Sequence, residues 1–296
     1  MAGASPASVR ATVVLPTIGR APLVAECLAS LERCAPRADE ILVIDSSSDG
    51  AVAEVVASFA HIGAQIVPER KRGLGYAFNA GLRAASHEVV LLTNDDCVVD
   101  PTWVDVGNAR LGVDGDVIVT GRVLPEGDSE VVPSTIVDPD RRVHRGRPAF
   151  VLYTQSMALV RSTALAFGAF DGRIAPTAED NDLSYRWLRA GRRIHYEPDF
   201  LVWHRDWRSA DELSRLYVDY GIGQGVMYAK HLLRGDVRIA RFVARDSYAA
   251  ARGLVDRAVR GRRSHGDWRL GLAQGLPIGL VRGWRRFRRG DAEEGE

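Results

Sequence analysis

Short apolar runs alternate with helix-like segments along the first hundred residues. Residues 13–15, 41–44, 64–67 and 89–92 are mostly apolar and have the length of a strand. Between them, apolar positions recur three or four residues apart, as in residues 21–32. Continuous apolar runs are typical of parallel strands that helices bury on both faces. The pattern therefore predicts an α/β fold whose ligand site lies at the carboxyl ends of the strands.

Polar side chains follow two of these runs directly. Asp45 ends the second run, and Asn94, Asp95 and Asp96 follow the fourth in "LLTNDD". A few carboxylates, completed by phosphate oxygens and water, bind Mg²⁺ or Mn²⁺. A carboxylate after the second strand can also accept hydrogen bonds from a ribose or a base. Because ordinary turns favour the same residue types, the sequence leaves a ligand site and a polar turn both open.

A basic, glycine-rich segment, "ERKRGLGYAFNAG" (69–81), enters the third helix-like segment. Arg70, Lys71 and Arg72, together with the amides of a helix N-terminus, would suit an anion. A solvated basic turn has the same composition. The segment is neither GxGxxG nor a Walker loop, which counts against a dinucleotide oxidoreductase and against a P-loop NTPase.

The second half of the chain is less regular and contains an acidic helix start. The pattern predicts a long loop over 125–150 and a short extended pair over 193–204. Between them, "TAEDNDLSYRWLRAG" has the signals of a helix, with Thr177 as its candidate N-cap. Three carboxylates crowd its first turn. Close and partly buried carboxylates raise one another's pKa and suit a general base, although the helix dipole alone also favours acids there.

The character of the chain changes again near residue 206. A long helical pattern covers 210–233, and residues 252–289 hold 11 arginines and two acids, a local charge of +9 that leaves −8 for the rest of a chain with net charge +1. We therefore expect two domains, 1–205 and a helical, Arg-rich C-terminal extension over 206–296. The extension can rest on an anionic membrane surface, or it is a solvated helical extension or an oligomer contact. It contains no recognisable nucleic-acid-binding module.

The composition of the 296-residue chain is that of an ordinary globular protein, with 46% apolar and 26% charged residues. Its three cysteines form no CxxC pair and no disulfide framework. The N-terminal residues do not have the pattern of a signal peptide, and no stretch reaches the ~20 apolar residues of a spanning helix. We expect a cytoplasmic protein, either free or peripheral at the inner face of the cell membrane.

Five segments, in this order, resemble family 2 glycosyltransferases of the GT-A fold, in particular their rhamnosyltransferase-like branch. The segments are "VVLPTIGRAPLVAECLASL", "ILVIDSSSDG", "RGLGYAFNAGLRAA", "LLTNDDCVVDPTWV" and "FGAFDGRIAPTAEDNDLSYRWLRAGRRIHYEPDFLVWH". Each is a weak signal alone, and their order and spacing carry the resemblance. It implies a mostly parallel nucleotide-binding sheet flanked by helices.

The resemblance also implies a reaction. An inverting enzyme of this kind moves a sugar from a nucleotide-diphosphate donor to an acceptor hydroxyl, assisted by Mn²⁺ or Mg²⁺, in the synthesis of a cell-surface polysaccharide or glycoconjugate. Asp180 takes the position of the catalytic base, with Glu179 beside it. Asp96 and His204 take metal-binding positions, while Asn94 stands in place of the first Asp of the DxD motif.

Further site residues follow from the same resemblance. Positions expected to contact the nucleotide are Pro16, Thr17, Asp45, Arg72, Gly73, Asn79, Asn94 and Asp95. Positions expected to contact the acceptor, a carbohydrate or a lipid-linked molecule, are Ser156, Met157 and Asp182.

Two other functions are compatible with such a fold. A nucleotidyltransferase would combine a similar sheet with acidic metal ligands, but it should have a glycine-rich loop and a lysine after the first strand, where this chain has "PTIGRAP". A binding or scaffold protein could keep the fold without turnover, since fold alone does not imply activity. The set of Asp96, Glu179, Asp180 and His204 favours an enzyme.

Overall fold

A computed structural model describes residues 8–47, 50–111, 117–126, 132–205, 208–260 and 267–288. The chain forms two compact units. The first comprises residues 1–72, 76–170 and 183–207, and the second comprises 73–75, 171–182 and 208–296. The division into 1–205 and 206–296 that the sequence suggests stays a prediction. The start of the acidic helix is part of the second unit.

The first unit contains a nine-stranded sheet and the helices around it. Its elements are β1 (Ser8–Thr17), α1 (Ala21–Glu32), β2 (Arg37–Asp45), α2 (Ala51–Ser58), β3 (Ala64–Pro68), α3 (Leu74–Ala84), β4 (Val89–Leu92), β5 (Cys97–Val99), α4 (Trp103–Leu111), β6 (Val117–Pro125), β7 (Arg142–His144), β8 (Met157–Val160), α5 (Arg161–Ala166), α6 (Glu179–Arg189) and β9 (Arg193–His204). The first residues of α3 and α6 belong to the second unit. A 3-10 turn covers Ala60–Ile62.

The strand order places several chain ends at one edge of the sheet. The order is β3-β2-β1-β4-β8-β6-β9-β5, with β7 paired to β9. The first four strands are parallel, whereas β8 is antiparallel to both of its neighbours. Thr17 on β1 is paired with Asp45 on β2, and β4 ends next to β1. The polar residues that follow β1, β2 and β4 therefore share the carboxyl edge, as the sequence predicted.

Helices cover both faces of this sheet. Val13 and Leu15 on β1 belong to one buried cluster with Val24 and Leu28 of α1. On the opposite face, the side chain of Val14 lies against Gly81 of α3, where a Cβ atom would come within 2.3 Å of it. Only a glycine allows α3 to approach the strand this closely. The prediction of a mostly parallel, helix-flanked sheet is confirmed.

The structure differs from the sequence pattern around β9. The expected extended pair over 193–204 is one 12-residue strand. Its pairing with β6 shifts register between Gly121 and Arg122, so that the partner changes from Glu197 to Leu201. Pro198 lies inside the skipped stretch, and proline is tolerated in sheets at such irregularities because it lacks an N–H donor. The proline therefore interrupts the ladder without ending the strand.

Other elements were not expected from the sequence. The loop over 125–150 contains β7, and the sequence pattern also missed β5, α4 and α5. Each has at most nine residues, and such short segments give too few positions for a periodic signal.

The described part of the second unit contains the long helices α7 (Ala210–Leu233), α8 (Ala240–Arg260) and α9 (Trp268–Arg288), with a 3-10 turn at Val237–Ile239. The helical pattern over 210–233 is thus confirmed. Helix α7 begins with a capping box in which Ser209 and Glu212 bind each other's backbone N–H.

Glycines bring α7 and α9 into backbone contact. The glycines on the facing sides are Gly221 and Gly225 of α7 and Gly271, Gly275, Gly279 and Gly283 of α9. A Cβ on Gly279 would lie 2.1 Å from the carbonyl oxygen of Ile222, and one on Gly275 would lie 2.2 Å from that of Val218. These separations leave no room for a side chain.

Replacing Gly279 by alanine should therefore destabilise the protein. In an exposed helix interior this change gains about 1 kcal/mol through helix propensity. At Gly279 the added methyl must push the helices apart, and such overpacking costs about 1–3 kcal/mol. Urea unfolding measures whether the free energy of unfolding falls or rises. Gln274→Ala, at an exposed position of the same helix, is the control and should change the free energy of unfolding by less than about 0.5 kcal/mol. A gain in stability for Gly279→Ala would contradict the backbone contact.

Candidate functional site

Asp95 is held at the sheet edge by the turn after β1. Its carboxylate accepts hydrogen bonds from the Thr17 hydroxyl at 2.7 Å and from Arg20 Nε at 2.9 Å, and the Arg20 terminal nitrogen contacts its other oxygen. Burial raises the pKa of Asp95, and the Arg20 charge opposes this in part. Arg20 is not among the site residues expected from the sequence. A basic residue in the turn after β1 lies at the same edge as the acidic cluster, and that position is the signal that could have identified it.

Asp96 and His204 form a buried pair. Their side chains face each other with 3.4 Å between Asp96 Oδ2 and His204 Nε2. The other ring nitrogen, Nδ1, is 2.9 Å from the carbonyl oxygen of Pro133. Because a carbonyl oxygen can only accept, Nδ1 carries a proton. His204 Nε2 therefore faces the Asp96 carboxylate, and an imidazole nitrogen beside a carboxylate oxygen is a pair of atoms that can bind a divalent cation.

Asn94 has a buried acceptor without a donor. Among the residues that the structure describes, neither Asn94 Oδ1 nor the neighbouring Thr93 Oγ1 has a hydrogen-bond partner, although both atoms are buried. Unsatisfied buried polar atoms cost about 1–3 kcal/mol each and are rare in folded proteins. A ligand that supplies donors or a cation at this edge would relieve that cost.

These residues fit a divalent cation that arrives with phosphate oxygens. Within the described ranges, no group of three or more His, Cys, Asp or Glu side chains could hold a metal by itself. Asp95 is held by Arg20 at short range, which makes it the less suitable of the two carboxylates for binding a cation. Asp96 and His204 are the remaining candidate metal ligands. A pair of protein ligands suits Mn²⁺ or Mg²⁺ when phosphate oxygens and water complete the coordination shell.

Other residues expected to bind the nucleotide have varied surroundings. Asp45 ends β2 and accepts hydrogen bonds from Ser47 N at 2.8 Å and Ser47 Oγ at 2.9 Å, the turn contacts that the sequence also allowed. Pro16 is buried next to it in β1, while the side chain of Arg72 is exposed. Gly73 has a φ of +131°, which favours glycine at the entry to α3. Their roles toward a nucleotide stay predictions.

Three candidate residues make contacts inside the first unit. The Asn79 amide donates to the Phe170 carbonyl at 2.7 Å and accepts from the Phe170 N–H at 3.1 Å. Ser156 Oγ donates to the Phe200 carbonyl at 2.8 Å and accepts from Trp103 Nε1 at 2.9 Å. Met157 is fully buried in β8. These contacts hold the fold together, and the expected nucleotide and acceptor roles of these residues stay predictions.

The acidic start of α6 is a feature of the second unit. Ala178, just before it, has a φ of +75°, which is unusual for a residue with a side chain. Helix α6 begins at Glu179, so its N-cap position is Ala178 and not Thr177, which the sequence pattern indicated. The Thr177 hydroxyl donates to the Asp219 carbonyl at 3.1 Å. Asp180 Oδ1 accepts from the Asn181 N–H at 2.7 Å. Burial raises the pKa of Asp180, and burial followed by the Asp180 charge raises the pKa of Glu179 further.

Asp182 lies in a buried ion cluster behind this helix start. Lys230 of α7 donates to both Asp182 oxygens at 2.8 and 2.9 Å and is 2.9 Å from Asp171 Oδ2. His231 Nε2 is 2.8 Å from Asp182 Oδ1. Burial alone would raise the pKa of Asp171, but hydrogen bonds from Arg173 and Lys230 lower it to about 2. Asp182 thus has a structural role, and an acceptor contact stays a prediction.

Lys230 and His231 are not among the site residues expected from the sequence. A signal was present, because the chain contains only two lysines, Lys71 and Lys230, among 39 basic residues. A lysine in an apolar helical stretch of an otherwise arginine-rich chain indicates a position that needs a compact ammonium group.

A chain of hydrogen bonds also leads from the acidic helix start across α7 to α8. Asn181 Nδ2 donates to Gln224 Oε1 at 3.0 Å, and Gln224 Nε2 donates to the Tyr228 hydroxyl at 2.8 Å. The Tyr228 hydroxyl donates to Asp246 Oδ2 at 2.6 Å. Satisfied polar chains of this kind fix one arrangement of the helices that they connect.

Comparison with known proteins identifies the family. The sequence profile described as "Glycosyl transferase family 2" matches residues 12–166, just over half of the chain. The chain belongs to glycosyl transferase family 2. The matched part begins inside β1 and contains β2 to β4, the acidic cluster after β4 and both residues of the Arg20–Asp95 ion pair. The interpretation as a glycosyltransferase is confirmed at the level of the family, whereas the rhamnosyltransferase-like branch stays a prediction.

Solved structures of glycosyltransferases share the fold of this family 2 member. A mannosyltransferase from Pyrobaculum calidifontis in complex with GDP-Man and Mn²⁺ aligns with a TM-score of 0.63 at 18% identity, over 93% of this chain and 86% of that one. S. aureus TarS in complex with UDP aligns with a TM-score of 0.56 at 15% identity, over 95% and 92% of the two chains. GalNAc-T7 with UDP, GalNAc and Mn²⁺ gives 0.55 at 17% identity, over 75% and 50%. At these identities the likeness concerns the fold, and it confirms the expected GT-A architecture.

A curated relative is similar over a shorter stretch. Chondroitin synthase of Escherichia coli is 32% identical over 115 residues, which are 37% of this family 2 chain. The chain spans only 17% of the length of that protein. In the part of the chain that the structure describes, no helix has the length and apolar character needed to cross a membrane.

Proposed function

We propose that this family 2 protein transfers a sugar from a nucleotide-diphosphate donor to an acceptor hydroxyl with inversion at the anomeric carbon. The observation that carries the proposal is the carboxyl edge of the sheet. There, Asp96 Oδ2 and His204 Nε2 face each other across 3.4 Å, and Asn94 Oδ1, next but one to Asp96, is buried without a partner among the described residues. Such an arrangement favours a cation together with a hydrogen-bonding ligand.

Asp96 and His204 would hold the Mn²⁺ or Mg²⁺ ion. When bound, the cation neutralises charge on the departing diphosphate. Arg20 adds a fixed positive charge 3.9 Å from Asp96. Two of the similar structures contain Mn²⁺, and the three contain GDP-Man or UDP, which supports a nucleotide donor. Thr17, Asp45 and Arg72 are the residues that we expect to orient its base, ribose and diphosphate.

Asp180 is the proposed base, with Glu179 beside it. Both carboxylates have raised pKa values, and the more buried Glu179 has the higher one. Two close, buried carboxylates titrate as a pair that holds one proton more tightly than isolated acids do, and we assign the role of base to Asp180. The Asp180 carboxylate takes the acceptor hydroxyl proton while that oxygen bonds to the anomeric carbon. The bond from the anomeric carbon to the diphosphate oxygen breaks in the same step, and its electrons leave with the diphosphate.

The acceptor is proposed to be a carbohydrate or a lipid-linked molecule used for a cell-surface polysaccharide or glycoconjugate. The similarity to a chondroitin synthase supports a carbohydrate acceptor. A cytoplasmic position at the inner face of the membrane, reached through the C-terminal helices, fits a lipid-linked acceptor and is part of the proposal.

Thermal unfolding with nucleotides tests the donor site. We expect one of UDP, dTDP, GDP and CDP to raise the melting temperature only when Mn²⁺ or Mg²⁺ is present. A ligand at a hundredfold excess over its dissociation constant stabilises a protein by about 2.7 kcal/mol. Asp96→Ala and His204→Ala should each remove the metal-dependent shift, since each deletes a metal ligand.

Asp105→Ala is the matched control, because Asp105 is an exposed carboxylate on α4 of the same unit. It should keep the full shift. If no nucleotide shifts the wild-type melting temperature, the donor site is refuted and a binding or scaffold protein becomes the better interpretation. A shift that survives Asp96→Ala would instead refute the assigned metal ligands.

A further inference from the structure

Helix α9 has one face that packs against α7 and an opposite face that is exposed. Its glycines lie against the backbone of α7, whereas an exposed stripe follows the other side. The stripe continues at spacings of four and three residues and comprises Gln274, Ile278, Val281, Arg285 and Arg288, with Trp284 beside it. Ile278, Val281 and Trp284 expose 42%, 52% and 51% of their surface. This spacing keeps the side chains on one face of a helix.

Helix α8 has a second exposed stripe that also combines apolar side chains with arginines. It comprises Arg241, Arg245, Tyr248, Arg252, Val255 and Val259, again four and three residues apart and all exposed. Tyr248, Val255 and Val259 are among the large apolar residues with the highest exposure in the described structure. Neither stripe contains a carboxylate, although Arg245 is ion-paired with the buried Asp246 at 2.7 Å. Helix α9 has five arginines and no acid.

We propose that the exposed stripes of α8 and α9 form a docking surface for an anionic lipid bilayer. The proposal rests on the proposed function in one respect, because the surface would bring the enzyme to a lipid-linked acceptor. Aliphatic and aromatic side chains would enter the boundary between headgroups and acyl chains, and the arginines would bind phosphate groups. Exposed tryptophan and tyrosine suit this boundary because each has an apolar body and a polar tip.

The chemistry of the stripes favours a bilayer over other partners. A second copy of the chain would place arginines against arginines, and like charges across an interface are strongly unfavourable. A nucleic acid would use the arginines but would leave Ile278, Val281 and Val255 exposed to water. The attraction of arginine to the C-terminus of α9 explains neither the exposed apolar residues nor the arginines near the start of α8. An anionic bilayer satisfies both the charged and the apolar parts.

Vesicle flotation of the full chain tests the surface. We expect binding to phosphatidylcholine vesicles that contain phosphatidylglycerol, weaker binding to pure phosphatidylcholine, and a loss of the difference at high salt. Each arginine near an anionic surface changes the partition coefficient about fivefold, so Arg285→Gln/Arg288→Gln should lower it roughly twenty-five-fold on the mixed vesicles. Val281→Ser/Trp284→Ser should lower binding to both vesicle types.

The control removes the same charge elsewhere. Arg33→Gln/Arg83→Gln neutralises two exposed arginines of the first unit and should keep wild-type flotation. Equal losses in the control and in Arg285→Gln/Arg288→Gln would overturn the proposal, as would a wild-type chain that stays unbound at low salt. Concentration-dependent dimerisation that Val281→Ser/Trp284→Ser abolishes, without vesicle binding, would assign the face to a second copy.

Flotation needs neither donor nor acceptor, so its outcome is independent of the donor site. Vesicle binding without any nucleotide-dependent shift in melting temperature would refute the proposed function and keep the docking surface. A normal nucleotide shift without vesicle binding would refute the docking surface alone.

Discussion

Replacing Asp180 by asparagine is expected to remove sugar transfer while leaving the protein as stable as before or more stable. A general base contributes about a hundredfold to ten-thousandfold to a rate, and an asparagine cannot take the acceptor proton. Asparagine keeps the oxygen that accepts the 2.7 Å hydrogen bond from Asn181 N. The fold therefore loses a charge without losing a contact.

The effect on stability follows from the direction of the pKa shift. Burial raises the pKa of Asp180 above its ordinary value of 3.8, so the folded protein binds this proton more tightly than the unfolded chain does. The contribution of Asp180 to the free energy of unfolding is most favourable below the pKa that this group has in the unfolded chain. It is lost as the pH rises through the raised pKa of the folded protein. In wild-type protein, activity should increase over that same rise, because the base must be ionised. The stability of Asp180→Asn should therefore change less over this pH range than that of the wild-type protein.

Initial rates with the donor identified by thermal unfolding, together with melting temperatures across the acid-to-neutral range, measure both effects. Asp211→Asn is the control, since Asp211 is an exposed carboxylate in the first turn of α7. It should leave activity unchanged. Turnover of Asp180→Asn within tenfold of the wild-type value would show that another group accepts the proton. A strongly lowered melting temperature would show that the Asp180 charge is stabilised rather than merely buried.

Replacing Lys230 by methionine is expected to be the most destabilising of the substitutions considered. Lys230 is 1% exposed and faces Asp182, which is fully buried, and Asp171. Methionine keeps most of the volume but leaves two carboxylates without their shared cation. Removing one partner from a buried ion pair costs about 3–5 kcal/mol, which is a large part of the stability of a typical domain. Urea unfolding of the full chain measures the loss.

Charge and volume can be separated by a second substitution. Lys230→Met/Asp182→Asn removes the uncompensated charge and should recover part of the lost stability, whereas a pure packing defect would not be recovered. The pair formed by the exposed Arg142 and the half-buried Asp138 is the control. Arg142→Met should cost at most about 1 kcal/mol because solvent screens that pair. Equal effects of Lys230→Met and Arg142→Met would contradict the importance of the buried cluster.

The pH dependence of Lys230→Met has a defined direction as well. The pKa of Asp171 is lowered to about 2 in the folded protein, compared with about 3.9 for an unperturbed aspartate. Asp171 therefore stabilises the fold at pH values above its pKa in the unfolded chain, and this contribution disappears as the pH falls toward 2. Without Lys230 the pKa is lowered less, so the acid-induced loss of stability should be smaller than in the wild-type protein.

The parallel half of the sheet could be predicted because its strands are buried on both faces and therefore form continuous apolar runs. Asp45 and the cluster from Asn94 to Asp96 could be placed at one edge because parallel strands end together. The role of Pro198 could not be predicted in this way. A proline in a strand pattern normally indicates a break, and only the register of the neighbouring β6 shows that the strand continues past it.

The partners of the site residues were beyond the sequence for a different reason. Arg20 meets Asp95 across 75 positions of the chain and Lys230 meets Asp182 across 48, and no local pattern records such pairs. The family resemblance supplied Asp180 and His204 as residues with a role, but not the contact of His204 Nδ1 with Pro133. That contact decides which ring nitrogen faces Asp96.

The glycine contacts between α7 and α9 have a consequence for the mutational tolerance of the C-terminal helix. Every substitution of glycine adds atoms, so Gly275, Gly279 and Gly283 should each reject all 19 alternatives, the small residues included. The outward residues of the same turns can change freely as far as folding is concerned. A saturation scan of α9 for folded protein should therefore show intolerant positions every fourth residue, and hydropathy would not identify them.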